Sequence, residues 1–114
     1  MNLKLISETK SSDGIVQKEY TGYGYRITVH DYRPLISSPA LSMDCKIEPL
    51  YQNVDGEIAM YPNVTFLNGK CHANFKNGLE LDSGNEEMWL RGIHNATALM
   101  REIEDNQKEL FSFS

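Results

Sequence analysis

Three histidines, two cysteines and a scatter of carboxylates are the residues in this 114-residue sequence best equipped for chemistry. His30, His72 and His94 show none of the short, recurring intervals at which zinc ligands are drawn from a chain. The surrounding pattern puts the first two on polar strand faces and the third on a helix, so no metal is expected. Cys45 and Cys71 fit no Cys-x-x-Cys spacing and read as small, partly hydrophobic side chains in a reducing compartment. Whether the two meet is left open by their positions. General acid or base catalysis needs a carboxylate or histidine inside a pocket. Pairs such as Glu80 and Asp82 instead alternate onto one outward strand face. Gly-x-Ser-x-Gly, His-Glu-x-x-His and Walker strings are absent. The sequence therefore nominates no catalytic residue, no metal site and no cofactor.

The elements that carry these residues change character once along the chain. From residue 2 to 82 the dominant period is two, as in Cys71, Ala73 and Phe75 against Lys70, His72, Asn74 and Lys76. Asp13-Gly14, Asp55-Gly56, Asn68-Gly69 and Asn77-Gly78 are dipeptides that tolerate the positive φ of tight hairpins. Strands are expected near 2–9, 15–20, 23–32, 42–48, 57–67, 70–76 and 78–82, with Pro34, Pro39, Pro49 and Pro62 ending or interrupting them. At residue 83 the period becomes helical. Ser83-Gly84-Asn85-Glu86 has the form of a capping box, and Glu86 and Glu87 suit the positive end of a helix. Trp89, Ile93, Ala96, Met100, Ile103 and Leu110 then recur at steps of three and four, with Gly92 and Leu99 beside them. The expected architecture is α+β in two layers: a hairpin-rich antiparallel sheet of about six or seven strands over 1–82, and one long amphipathic helix over 83–111 packed on it. The 114 residues make a single domain, since a chain this size can own one core. Trp89 is the expected central plug of that core.

Charge is segregated. Eleven Lys and Arg against 16 Asp and Glu give a net charge of −5. Acids and bases balance through residue 79. The whole excess lies beyond it, where Glu80, Asp82, Glu86, Glu87, Glu102, Glu104, Asp105 and Glu109 face only Arg91, Arg101 and Lys108. Most nucleic-acid affinity comes from neutralised phosphates, so an acidic third argues against direct nucleic-acid binding at that end. The beginning Met1-Asn2-Leu3-Lys4 is charged too soon for a secretory signal, and no stretch approaches the roughly 20 apolar residues of a membrane span. A cytoplasmic protein without membrane contact is expected.

Thr21-Gly22-Tyr23-Gly24-Tyr25-Arg26-Ile27-Thr28-Val29 resembles the first RNP motif of RNA-recognition-motif domains. In that family glycines and aromatics on a central strand let bases stack on the sheet. The resemblance implies Tyr23 and Tyr25 as the stacking platform with Arg26 nearby. It covers nine residues, and Thr21 stands where the motif has Lys or Arg. The other reading is a Tyr-rich strand whose aromatics pack on the core or across strands. The helix offers Glu86, Glu87, Glu102, Asp105 and Glu109 either as a solubilising face or as spaced negative charges that steer the domain to a basic groove.

A short, single-domain chain with segregated charge and no catalytic motif is similar in profile to many small phage- or mobile-element-encoded accessory proteins, the anti-CRISPR inhibitors among them. The first expectation is a non-enzymatic protein-binding module that inhibits a larger, basic, nucleic-acid-processing partner through those five acids. The alternative contact is the polar strand face of His72, Asn74 and Lys76 with the Tyr-rich strand. A single-stranded nucleic-acid binder using the strand at 20–30 is the second expectation, and a small-ligand protein or enzyme with a cleft between helix and sheet is the third. Oligomeric state and the role of Phe111 and Phe113 are open in the sequence.

Overall fold

The computed structural model describes residues 2–35, 43–50, 61–67, 69–74 and 86–111. Strands β1 (Lys4–Lys10), β2 (Val16–Gly22), β3 (Tyr25–Asp31) and β4 (Met43–Pro49) form an antiparallel sheet in sequence order. Strands β5 (Asn63–Leu67) and β6 (Lys70–Asn74) pair antiparallel as a separate two-stranded sheet. Helix α1 (Glu86–Asp105) and the single turn α2 (Gln107–Leu110) follow. The protein is α+β, with six antiparallel strands among the described residues packed against a C-terminal helical segment. No described helix is long and apolar enough to cross a membrane.

Turn chemistry sets the hairpins. Gly14 and Gly69, at φ +89° and +81°, occupy the positive-φ positions expected of Asp13-Gly14 and Asn68-Gly69. The β2–β3 connection departs from expectation. Tyr23 and Gly24 both have positive φ, +57° and +82°, and make a two-residue turn between Gly22 and Tyr25, which are paired across the ladder. The strand expected over 23–32 therefore starts at Tyr25. Glycine is required at position 24, because a Cβ there would stand 2.2 Å from the Tyr61 hydroxyl oxygen.

The inner face of the larger sheet carries Tyr20, Tyr25, Ile27 and Val29, joined by Val64 of β5 and by Ala96, Leu99, Ile103 and Leu110 of the helices. Tyr25, Ile27, Val29, Leu99, Ile103 and Leu110 are fully buried. Burying a Leu or Ile this way removes most of its apolar area from water, and truncation to Ala at such a site costs about 2–5 kcal/mol. The helix buries Trp89, Gly92, Ala96, Leu99 and Ile103, with Ile93 and Met100 half-buried beside them. Trp89 is buried but stands outside the connected core, whose helical members are Ala96, Leu99, Ile103 and Leu110, so it is not the central plug expected.

The expected single helix over 83–111 is broken at Asn106, whose φ is −121°. Its side-chain amide donates to the Glu102 carbonyl at 2.8 Å, competing for an acceptor of the helical ladder. Its own carbonyl accepts from the Glu109 and Leu110 amides and starts the next turn. The strand expected at 78–82, the turns at Asp55-Gly56 and Asn77-Gly78, the cap at Ser83, and Lys76 and Phe113 lie outside the described residues.

Candidate interaction site

The RNP-like string does not form a stacking platform. Because Tyr23-Gly24 is a turn, the nine residues straddle two strands rather than lying along one. Tyr25 points inward and is fully buried, its hydroxyl donating to the Pro62 carbonyl at 2.6 Å and its ring standing edge-on to Tyr61 at 5.0 Å. Burial pushes its hydroxyl pKa far above the ordinary tyrosine value. No face of that ring remains for a base, which corrects the reading of Tyr25 as a stacking residue. Tyr23 is half-buried at the turn, its hydroxyl accepting from the Asn2 side-chain amide at 3.1 Å. Its pKa is raised, first by burial and then by the neighbouring Glu102 carboxylate, against the lowering effect of Asn2. Arg26 lies on the outer sheet face, 3.6 Å from Glu48 on β4.

That outer face is polar. Rows across β2, β3 and β4 read Gln17, His30, Asp44; Glu19, Thr28, Lys46; and Thr21, Arg26, Glu48. Gln17 donates its amide to Glu19 at 3.2 Å, which turns its carbonyl oxygen to His30 Nε2 at 3.0 Å. His30 Nδ1 stands 3.7 Å from Asp44, beyond hydrogen-bonding reach, and the ring stacks on Tyr32. An open hollow of about 390 Å³ at this end is lined by Thr9, Lys10, Ser11, Asp13, Ile15, Gln17, His30 and Tyr32. With Nε2–H donating to the Gln17 oxygen, the nitrogen left without a hydrogen-bond partner is Nδ1, which is buried. His72 is exposed on β6 and His94 on α1. Among the described residues no group of three His, Cys, Asp or Glu converges as a metal site.

The cysteines sit along the inner side. Cys45 and Phe66 line a second hollow, of about 450 Å³, with Asp44, Lys46, Ile47, Val64 and Thr65. Cys71 lies directly across the β5–β6 ladder from Phe66, and both thiols are free. Burial pushes each up to about 12, helped at Cys71 by Glu104, which also accepts the Cys71 amide at 2.8 Å.

The five helix acids do not share one face. At about 100° per residue, Glu86 and Glu102 stand about 160° apart around α1. Glu86 and Glu87 are exposed at the first turn, and Glu87 pairs with Arg91 at 3.3 Å. Glu102 is half-buried: its Oε1 accepts the Asn2 backbone amide, and its Oε2 has no hydrogen-bond partner. It ties the start of the chain to the helix. Asp105 and Glu109 are exposed and lie on either side of the break at Asn106, Asp105 about 160° around α1 from the buried Ile103. The pKa of the buried Tyr20 is raised first by burial, then by the negative charges of Glu109 and Glu8.

Tyr20 lies on β2, beside β1. Leu5 is its cross-strand partner, and the register slips between Leu5 and Ser7, leaving Ile6 as an extra, bulged residue. Leu5 and Ile6 are 50% and 53% exposed, the one adjacent pair among the exposed large apolar side chains described; Leu35, Leu50, Leu67 and Leu90 stand singly. Strict alternation hides this pair, because it places Leu3 and Leu5 inward together and Ile6 outward. The signal available was the run Leu5-Ile6 in a strand otherwise flanked by Lys4, Glu8 and Lys10. The exposed apolar pair lies on β1 between Lys4 and Glu8, with the buried Tyr20 paired to Leu5.

The chain matches no protein-family model, no curated protein and no solved structure. Its geometry is the source of any functional reading.

Proposed function

We propose that the chain is a small, non-enzymatic protein-binding module whose partner is a larger protein with a basic surface. The observation that carries this reading is the exposed apolar pair Leu5 and Ile6 at the β1 bulge, flanked along the strand by the charged Lys4 and Glu8. Exposed apolar side chains ringed by charge are the composition of a binding surface: desolvation of the centre supplies affinity and the rim supplies orientation and on-rate. Of the five helix acids, Asp105 and Glu109 are assigned to contact. Glu102 is assigned to holding the chain's start, and Glu86 and Glu87 to the distant first turn. A basic partner of this kind fits a nucleic-acid-processing enzyme, whose substrate groove such a module would occupy as an inhibitor.

Site-specific photocrosslinking in the native host tests the proposal. A photoreactive residue at Ile6 or Asp105 is expected to give a protein adduct that Glu109→Lys removes, with none from Lys46 on the outer sheet face. Adducts from Lys46 alone, or to nucleic acid alone, would reject it.

A further inference from the structure

We infer that His30 and Asp44 form a proton-operated clasp between β3 and β4, open while the imidazole is neutral and closed once Nδ1 carries a proton. The two residues are direct partners in the β3–β4 ladder, on the outer sheet face. Glu19 sets the starting state. Its carboxylate only accepts, so the Gln17 amide turns its NH2 toward it at 3.2 Å and its oxygen toward His30 Nε2 at 3.0 Å. That oxygen needs a donor, which puts the ring hydrogen on Nε2 and leaves Nδ1 as a bare lone pair. Nδ1 is buried and has no hydrogen-bond partner. Oδ2 of Asp44 stands 3.7 Å from it, an acceptor facing an acceptor.

One proton turns this mismatched pair into a matched one. With a hydrogen on Nδ1 the ring becomes a charged donor toward a carboxylate, a pairing that favours a separation of about 2.8 Å. The ring is held in place: Gln17 has its other nitrogen, and Tyr32 stacks on it at 5.4 Å with the planes 17° apart. Asp44 is the side free to move, since its side chain is 57% exposed. Closure therefore draws the β4 side chain onto β3 by roughly 1 Å. The other charged groups around the ring offset one another. Lys10 and Asp13 line the hollow beside it, from the end of β1 and the turn that follows, and are of opposite sign. Lys46, the next outward residue on β4, lies 3.6 Å from Glu48, and Glu19 is engaged by Gln17. Imidazole is the side-chain group that ordinarily changes charge between pH 5 and 8, which makes the clasp a pH-sensitive device.

Ring and amide NMR on the full isotope-labelled chain, titrated from about pH 8 to about pH 5, tests the clasp. At the upper end the His30 ring is expected in the Nε2–H form with Nδ1 bare. At the lower end an Nδ1 proton should appear, and the Asp44 and Cys45 amides should shift along the same curve as the ring. Asp44→Ala changes an exposed side chain, and the remaining amide spectrum reports whether the fold is intact. In that variant the β4 amides should cease to follow the ring, and the Nδ1 proton should exchange with water at least about tenfold faster. A hydrogen on Nδ1 at the upper end would overturn the inference, as would a ring that stays neutral to the lower end. So would β4 amide shifts and an Nδ1 exchange rate that are the same with and without the Asp44 carboxylate.

Discussion

Tyr25→Phe separates a core tyrosine from a stacking one. The substitution keeps the ring, its edge-on contact with Tyr61 and nearly all of the buried area. It removes only the hydroxyl that donates to the Pro62 carbonyl at 2.6 Å. Pro62 is itself fully buried, so its carbonyl has no water to turn to. The loss is then a net hydrogen bond together with the desolvation of an unpaired acceptor, about 1–3 kcal/mol. In a chain of this length each kcal/mol lowers Tm by about 4 °C. Urea denaturation followed by Trp89 fluorescence should show the midpoint falling with the slope unchanged, since the surface exposed on unfolding is the same. The RNP-like reading makes the opposite statement, because Phe stacks on a base as well as Tyr does and a surface hydroxyl costs nothing to lose. A Tyr25→Phe protein within about 0.5 kcal/mol of the parent would refute the burial of this residue, and with it the inner face on which the fold is built.

Gly24→Ala should destabilise by at least about 2 kcal/mol, since alanine must adopt φ +82° and its Cβ must displace the Tyr61 hydroxyl; a thermal melt matching the parent would contradict the turn. Asp31 is held below the usual carboxylate range chiefly by hydrogen bonds from the Arg33 side chain, at 2.8 Å to each oxygen. A lowered native pKa means stability that is present above pH about 4 and lost as pH falls through the native value. Asp31→Asn should therefore be less stable than the parent at pH 7, and the two should converge in acid. Cys45 and Cys71, half-buried with thiols pushed up to about 12, should react with a disulfide reagent at pH 8 far more slowly than the same thiols in the urea-unfolded chain. Rapid labelling of either in the native state would contradict its packing.

The sequence period carried the architecture because both signals are local: alternation through β3, β4 and β6, and the step of three and four from Trp89 to Ile103. The Asp-Gly and Asn-Gly turns were legible for the same reason, a dipeptide that accepts positive φ. Tyr23-Gly24 was not, since only the close approach of Tyr61, 37 positions further on, makes glycine necessary there. The split into two sheets was hidden because period two says which face a residue takes and nothing of which strand lies beside it. The candidate surface was half legible. The acidic excess after residue 79 is visible by counting, but that Glu102 is drawn inward depends on Asn2 meeting it. Leu5 and Ile6 came into view only with the bulge, which no residue type announces. Helix position likewise decided that Glu86 and Glu102 belong to different sides.

The central claim is that a partner protein docks on the β1 edge at Leu5 and Ile6, and a backbone amide footprint by NMR tests it most directly. Adding extract of the native host to the isotope-labelled chain should broaden the amides of Leu5, Ile6 and Tyr20 first, while Thr28 and Lys46 on the outer sheet face stay sharp. Broadening confined to the outer face, or none at Leu5 and Ile6, would contradict the account.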